Sequence, residues 1–178
     1  DQKRAVEGGV RMIIEAFQSF GLHPDEGATL EGEKGEYGPY YQRQRKEIYH
    51  VFAKALVEQG HAYPCFCTEE ELAQMRAQQE ATKENFGYYG KYAKCRNLTL
   101  EEIQAKIAAG IPYVVRFRSN GNVEHKIFHN DLVKGKLELT ENDQDLVLLK
   151  SDGIPTYHFA HAVDDHLMKT THVVRGED

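Results

Sequence analysis

The chain has 178 residues, enough to bury a real core as one domain or two small ones, with 40% hydrophobic and 28% charged residues. A net charge of −6 argues against a general nucleic-acid binder, and no apolar run approaches the roughly 20 residues of a bilayer-spanning helix. Three cysteines, an odd number, argue against a secreted disulfide framework and favour a reducing, cytoplasmic setting.

Val6, Val10, Ile13, Ile14 and Phe17 recur at helical spacing and predict an amphipathic helix over 3–20, capped by Gly21. Residues 22–38 are polar and Gly-rich, hence a loop. A second helix follows, with Ile48, Val51, Phe52, Ala55 and Leu56 as its buried stripe and Gly60 as its stop. Arg43, Arg45 and Lys46 sit near its start, either as a solvated face or near phosphate. Residues 62–67 read as a short strand. Thr68 with Glu71, and Thr99 with Glu102, form capping-box patterns that open two further helices. Between these helices, 78–94 is polar and Tyr- and Gly-rich, an irregular excursion. Gly110 and Pro112 end the helix that carries Ile103 and Ile107.

From Tyr113 the texture turns to β. YVVRFR is a strand, Asn120-Gly121 a hairpin signal, 124–128 the returning strand, and 133–139 another strand around Gly135. Leu146–Leu149 is a four-residue apolar run, expected as a strand buried on both faces. Ser151-Asp152-Gly153 and Pro155 supply a turn, and Tyr157–Met168 a helix burying Phe159, Val163 and Leu167. His172–Val174 reads as a second short strand, ending in Arg175-Gly176-Glu177-Asp178. Charged groups just past a buried strand are costly as core and natural as a ligand site.

Two clusters carry chemistry on their own residues. Cys65 and Cys67, two apart on an extended segment, point to one side and can share a soft ion with Cys95; otherwise the three are reduced, partly buried thiols. Asp164, Asp165 and His166 project about 100° apart on a helix, so they read as surface polar contacts rather than a metal site. Charge is uneven along the chain. Residues 81–136 hold ten Lys or Arg against five Asp or Glu, whereas 137–178 hold three against nine. A basic middle segment suits contact with a phosphate backbone, although an ordinary solvated surface has the same composition.

PTYHFA, VDDHLM and THVVRGED, in this order and spacing, resemble the bacterial type of glutamyl-tRNA synthetase, a class I aminoacyl-tRNA synthetase. Gly38-Pro39-Tyr40, Gln42, Arg45 and Tyr49 resemble a further motif of that family. The resemblance implies an α/β fold: parts of a Rossmann-like nucleotide-binding fold interrupted by an inserted α+β acceptor-stem-binding domain. The first half would end at residue 61, the insert would span 62–155, and the second half would begin at 156. It implies activation of glutamate by ATP with Mg2+ and transfer to the 3′ end of tRNA(Glu), by a monomeric protein away from membranes. Neither the His-Ile-Gly-His nor the Lys-Met-Ser-Lys-Ser signature of the class occurs in these residues, so the 178-residue chain by itself is expected to be inactive.

The same resemblance assigns roles. Arg175 would grip the glutamate side-chain carboxylate through two parallel hydrogen bonds, and Tyr157 would donate its hydroxyl to it. His161 stands where many members have asparagine, which keeps a donor toward the amino acid and adds sensitivity to pH. Asp178, where glutamate is usual, would meet the adenylate or the tRNA 3′ end. Arg96, Arg116, Arg118, Lys126, Lys134 and Lys136 would contact the acceptor arm. Some members bind zinc at the cysteine region, which here offers Cys65, Cys67 and Cys95 with Tyr92, or else Tyr89, as a fourth ligand. Two other functions fit the same pattern: the shorter relative that glutamylates queuosine on tRNA(Asp), and a stand-alone tRNA-binding module.

Overall fold

The computed structural model describes residues 6–176. The chain runs α1 (Gly9–Ser19), β1 (Gly27–Thr29), β2 (Gly32–Lys34), α2 (Lys46–Glu58), β3 (Ala62–Cys65), α3 (Glu69–Thr82), α4 (Leu100–Ala108), β4 (Val114–Phe117), β5 (Lys126–Asp131), β6 (Gly135–Thr140), β7 (Val147–Leu149) and α5 (Tyr157–Leu167). Short 3₁₀ turns lie at Gln42–Arg45, Gly90–Tyr92 and Lys94–Asn97. Helices and strands are thus mixed along the chain.

A three-stranded sheet, in the order β3-β4-β7, divides the molecule into two cores. Strand alternation decides which residue goes where. Ala62, Val115, Phe117 and Leu149 join Tyr49 and Ala53 of α2 and Phe159, Ala160 and Val163 of α5 in one cluster. Tyr63, Cys65 and Val114 join Met75 of α3 with Tyr88, Tyr92, Ala93 and Cys95 in the other. The register Ala62↔Phe117 and Cys65↔Val114 keeps both sets in phase. Each fully buried large side chain contributes about 1.5–3 kcal/mol, so a one-residue slip of β3 would forfeit both cores. The sheet is a shared wall.

Local signals open two of the helices as expected. Thr68 Oγ1 accepts from Glu71 N at 3.2 Å while Glu71 Oε2 accepts from Thr68 N at 2.9 Å. Thr99 and Glu102 repeat the exchange at the start of α4. The helix α3 reaches Thr82, further than the expected irregular segment allowed, and 83–94 then holds only 3₁₀ turns.

Several expectations are corrected. The apolar stripe of α1 is mostly uncovered: Ile14 is buried, but Val10, Ile13 and Phe17 are exposed. Part of the expected loop 22–38 is an antiparallel hairpin, β1-β2. The buried positions of α2 are Tyr49 and Ala53, with Ile48, Phe52 and Leu56 half-buried, whereas Val51 faces solvent. Asn120-Gly121 does not return β4 on itself. Its neighbour Ser119 is tied to Asp145 and Asn142, so the segment packs against 142–145 and β4 pairs with β3 and β7. The hairpin instead joins β5 and β6, where Asp131 Oδ1 accepts from Val133 N and Lys134 N at 2.8 Å and Gly135 takes φ +78°. Leu148 and Leu149 are buried, but Leu146 is half exposed, so the apolar run is not buried throughout. His172–Val174 is not a strand; it pairs with no strand among the described residues, and Val174 is 99% exposed. Every strand pairing among the described residues is antiparallel. No helix among them is long and apolar enough to cross a membrane.

Candidate functional site

The helix α5 and the 3₁₀ turn Gln42–Arg45 face each other across a cleft of about 270 Å³, lined by Gln42, Tyr157, Ala160, His161, Asp164 and Asp165. Period and packing orient α5: Phe159 and Val163 enter the core, which turns Tyr157 and His161 outward. Tyr157 is 60% exposed, with its ring 5.3 Å from that of His161 in an edge-on arrangement. His161 Nδ1 donates to Asp165 Oδ2 at 2.7 Å, one turn along the helix. An ionised carboxylate only accepts, so the proton sits on Nδ1 and Nε2 is left for the cleft.

A polar cluster runs from the cleft wall at Asp164 into the core. Arg45 is 2% exposed; its Nε donates to Asp164 Oδ1 at 2.8 Å, and its Nη1 donates to the Tyr37 and Pro39 carbonyls at 2.9 Å. The Tyr49 hydroxyl donates to Asp164 Oδ2, also at 2.8 Å. Burial and that bond push the Tyr49 phenol up to about 12. Arg45 is therefore neither a solvated residue nor free for phosphate, and Asp164, 25% exposed at the cleft, binds two core groups as well as meeting the surface. Neither residue's local sequence marks it, because its partner lies far along the chain.

Arg175 is exposed, near the end of the described chain. Asp178 lies outside the described residues.

The cysteine cluster forms on the opposite face of the sheet. Cys65 ends β3, Cys67 precedes the cap of α3, and Cys95 sits in the turn Lys94–Asn97. Their sulfurs lie within 4.8 Å of one another, with Cys67 and Cys95 3.7 Å apart. The fourth group is Tyr88, whose hydroxyl oxygen is 3.4 Å from Cys65 Sγ and 3.2 Å from Cys67 Sγ and accepts from Cys95 N at 3.0 Å. The expected candidates point elsewhere. Tyr92 donates to Glu84, and Tyr89 donates to the Asn85 carbonyl at 2.7 Å. Counting back from Cys95 could not separate three tyrosines within five residues.

The sulfurs share protons unequally. Hydrogen bonds from Cys67 and then Cys95 pull the Cys65 thiol well below its ordinary range, while the same contact with Cys65 pushes Cys67 up. Burial pushes the Tyr88 phenol up. Three convergent sulfurs with one phenol oxygen form a compact soft donor set that fits zinc.

The six basic residues divide into two groups. Asp145, 1% exposed, accepts from Arg96 Nη1 at 2.5 Å, from the Tyr63 hydroxyl at 2.6 Å and from Ser119 N at 2.8 Å. Arg116 is buried, donates to the Asp145 carbonyl at 2.8 Å and covers the Tyr88 ring, so it is removed from the solvent-facing set. Arg118 donates to the Arg96 carbonyl at 2.6 Å. Lys126, Lys134 and Lys136 instead lie on the exposed β5-β6 hairpin, with Lys136 over the Phe128 ring.

The family described as tRNA synthetases class I (E and Q), catalytic domain, matches residues 1–178. A glutamate–tRNA ligase of Acetivibrio thermocellus is 57% identical over 178 residues, covering 100% of this chain and 33% of the relative. One of Clostridium beijerinckii is 55% identical over 179 residues, covering 100% and 32%. A solved glutamate tRNA ligase of Elizabethkingia meningosepticum, in complex with its amino acid, is 39% identical with a TM-score of 0.85, covering 99% of this chain and 35% of that one. The chain spans about a third of the length of the curated relatives it matches. It belongs to the class I tRNA synthetases for glutamate and glutamine, within their catalytic domain.

Proposed function

We propose that this chain forms the amino-acid pocket and the acceptor-facing segment of a glutamate–tRNA ligase. The observation that carries this reading is the match over the whole chain, at 57% identity, to a glutamate–tRNA ligase. In the reaction, the glutamate α-carboxylate attacks the α-phosphorus of ATP, pyrophosphate leaves, and a terminal ribose hydroxyl of tRNA(Glu) takes the acyl group from the adenylate. Mg2+ neutralises phosphate charge when bound. This chain's own residues serve mainly to position and discriminate.

Tyr157 donates its hydroxyl to the glutamate side chain, His161 presents Nε2 to the same cleft, and Arg175 supplies the cation that selects a carboxylate over an amide. Asp178 meets the adenylate or the tRNA 3′ end. The acceptor arm lies along Lys126, Lys134 and Lys136, and Arg96 and Arg118, each partly exposed, remain candidates for further contact. Zinc, where bound, is structural and held by Cys65, Cys67, Cys95 and Tyr88. The finer architecture we assign is two portions of a Rossmann-like fold, 1–61 and from 156, around an insert at 62–155. The packing of α2 and α5 on one side of the β3-β4-β7 sheet, and of α3 with the cysteine layer on the other, supports that division.

The test is ATP–pyrophosphate exchange by a synthetase of the relatives' full length that carries residues 1–178. Exchange should depend on glutamate and be lost with glutamine. Equal exchange with both amino acids would remove the pocket assignment.

A further inference from the structure

We infer that the Arg45–Asp164–Tyr49 cluster, in which Arg45 and Tyr49 are buried and Asp164 is 25% exposed at the cleft, is a positioning device that sets the amino-acid cleft. The inference rests on the reading above, in which Tyr157 and His161 meet glutamate. Asp164 lies three residues after His161 and seven after Tyr157, so all three share one stripe of α5. The cluster grips this stripe directly. On its other face, α5 is held by Phe159 and Val163. Apolar packing of that kind resists separation from the sheet but is non-directional, so it constrains rotation and axial sliding of the helix weakly. The directional contacts at Asp164 fix both. Its two oxygens accept from two different groups, Arg45 Nε and the Tyr49 hydroxyl, each at 2.8 Å.

The opposite wall is tied to the same point. Arg45 follows Gln42 by three residues, and Gln42 lines the cleft across from Tyr157 and His161. Arg45 also collects the Tyr37 and Pro39 carbonyls at 2.9 Å, which brings the approach to α2 into the cluster. One guanidinium thus fixes the spacing between the wall that carries Gln42 and the wall that carries Tyr157 and His161. A buried ion pair is a poor source of net stability, since well-packed apolar residues of similar volume often do as well. Its distinctive property is direction. Near-attack geometry is sensitive to displacements of about 1 Å, so a clamp of this sort governs how well glutamate is held rather than how ATP is bound.

The test uses a synthetase of the relatives' full length carrying residues 1–178, with Arg45→Lys and Tyr49→Phe as the conservative variants and Tyr157→Phe and His161→Ala as controls on the cleft. Amino-acid activation is followed by ATP–pyrophosphate exchange with tRNA(Glu) present, and thermal unfolding is recorded for each protein. Arg45→Lys keeps the charge but loses the fork that serves Asp164 and the two carbonyls together. It should raise the KM for glutamate about tenfold while the KM for ATP changes less than about twofold. Tyr49→Phe, which removes one bond and keeps the ring in the core, should move the same parameter in the same direction by less, and it carries the test if Arg45→Lys does not fold. A parallel loss for glutamate and ATP, or a lower melting temperature with unchanged KM values, would make the cluster merely structural and overturn the inference. If Tyr157→Phe and His161→Ala raise the glutamate KM but neither cluster variant does, the inference falls and the pocket reading stands. If the two controls leave the glutamate KM unchanged, both fall.

Discussion

The Arg116 guanidinium lies 4.0 Å from the centroid of the Tyr88 ring, and this contact helps select which tyrosine joins the cysteines. Arg116 alternates with Val115 on β4 and points to the cysteine side of the sheet. There its cation meets the ring face, the electron-rich side of the aromatic quadrupole. Its Nε has no hydrogen-bond partner among the described residues, a cost that the ring contact partly offsets. The phenol is thereby directed at Cys65 and Cys67.

Metal binding should therefore distinguish neighbouring tyrosines. Tyr88→Phe is expected to lower zinc affinity by at least about tenfold, whereas Tyr92→Phe leaves it unchanged, as read by chelator competition and by cobalt absorption. Equal effects of the two substitutions would mean that Tyr88 is not the fourth donor.

Asp145 joins the cysteine layer to the sheet through Arg96, Tyr63 and Ser119. Asp145→Ala leaves the half-buried Arg96 Nη1 and the buried Tyr63 hydroxyl without their shared acceptor. The expected loss is about 3–5 kcal/mol in urea unfolding, the usual cost of breaking a buried ion pair on one side. Tyr63→Phe, which removes one hydroxyl, should cost about 1 kcal/mol. Similar small losses for both would contradict Asp145 as the hub.

Alkaline pH should unfold the protein through its buried phenols. Tyr49 is raised from 10.0 to about 12, and Tyr63 and Tyr88 are raised as well, each chiefly by burial. A phenol whose folded pKa exceeds its unfolded value stabilises the fold fully below the unfolded value. That stability is lost as pH rises through the folded one. Stability attributable to Tyr49 should be constant below pH 10 and fall between 10 and about 12, with a shallower fall in Tyr49→Phe. Ultraviolet titration that finds all ten tyrosines ionising together near 10 would be inconsistent with this.

The acceptor-facing assignment separates the lysines from Arg116. Lys134→Ala and Lys136→Ala should each weaken tRNA binding by a full-length enzyme and reduce the slope of log affinity against log salt by about 0.7–0.9. The pair Lys134→Ala/Lys136→Ala with an unchanged slope would remove the hairpin from the tRNA surface.

What was legible in the sequence was local or periodic. Thr68 with Glu71 is a signal four residues long, and the structure realises it bond by bond. Phe159 and Val163 fall at helical spacing, and both are buried. What escaped depends on partners distant in the chain. Arg45 carries the pattern of a surface residue, and Asp164, 119 residues later, joins the Tyr37 and Pro39 carbonyls in making it core. Asn120-Gly121 has the composition of a hairpin turn, but the side chain of Ser119 binds the 142–145 segment and overrides it. His172–Val174 has strand propensity, yet propensity forms a strand only where a neighbouring edge offers its hydrogen bonds. The cysteine triad was visible because three residue types sufficed to find it. The choice of Tyr88 required the packing of Arg116.

We propose that these residues belong to an enzyme that places glutamate on the 3′ end of tRNA(Glu). This is tested most directly by charging an unmodified tRNA(Glu) transcript and a queuosine-bearing tRNA(Asp) side by side, with a synthetase of the relatives' full length that carries residues 1–178. A glutamyl ester should form on the terminal ribose of tRNA(Glu), dependent on ATP, with no product on tRNA(Asp). Glutamate attached to tRNA(Asp) alone, at its modified base, would contradict it.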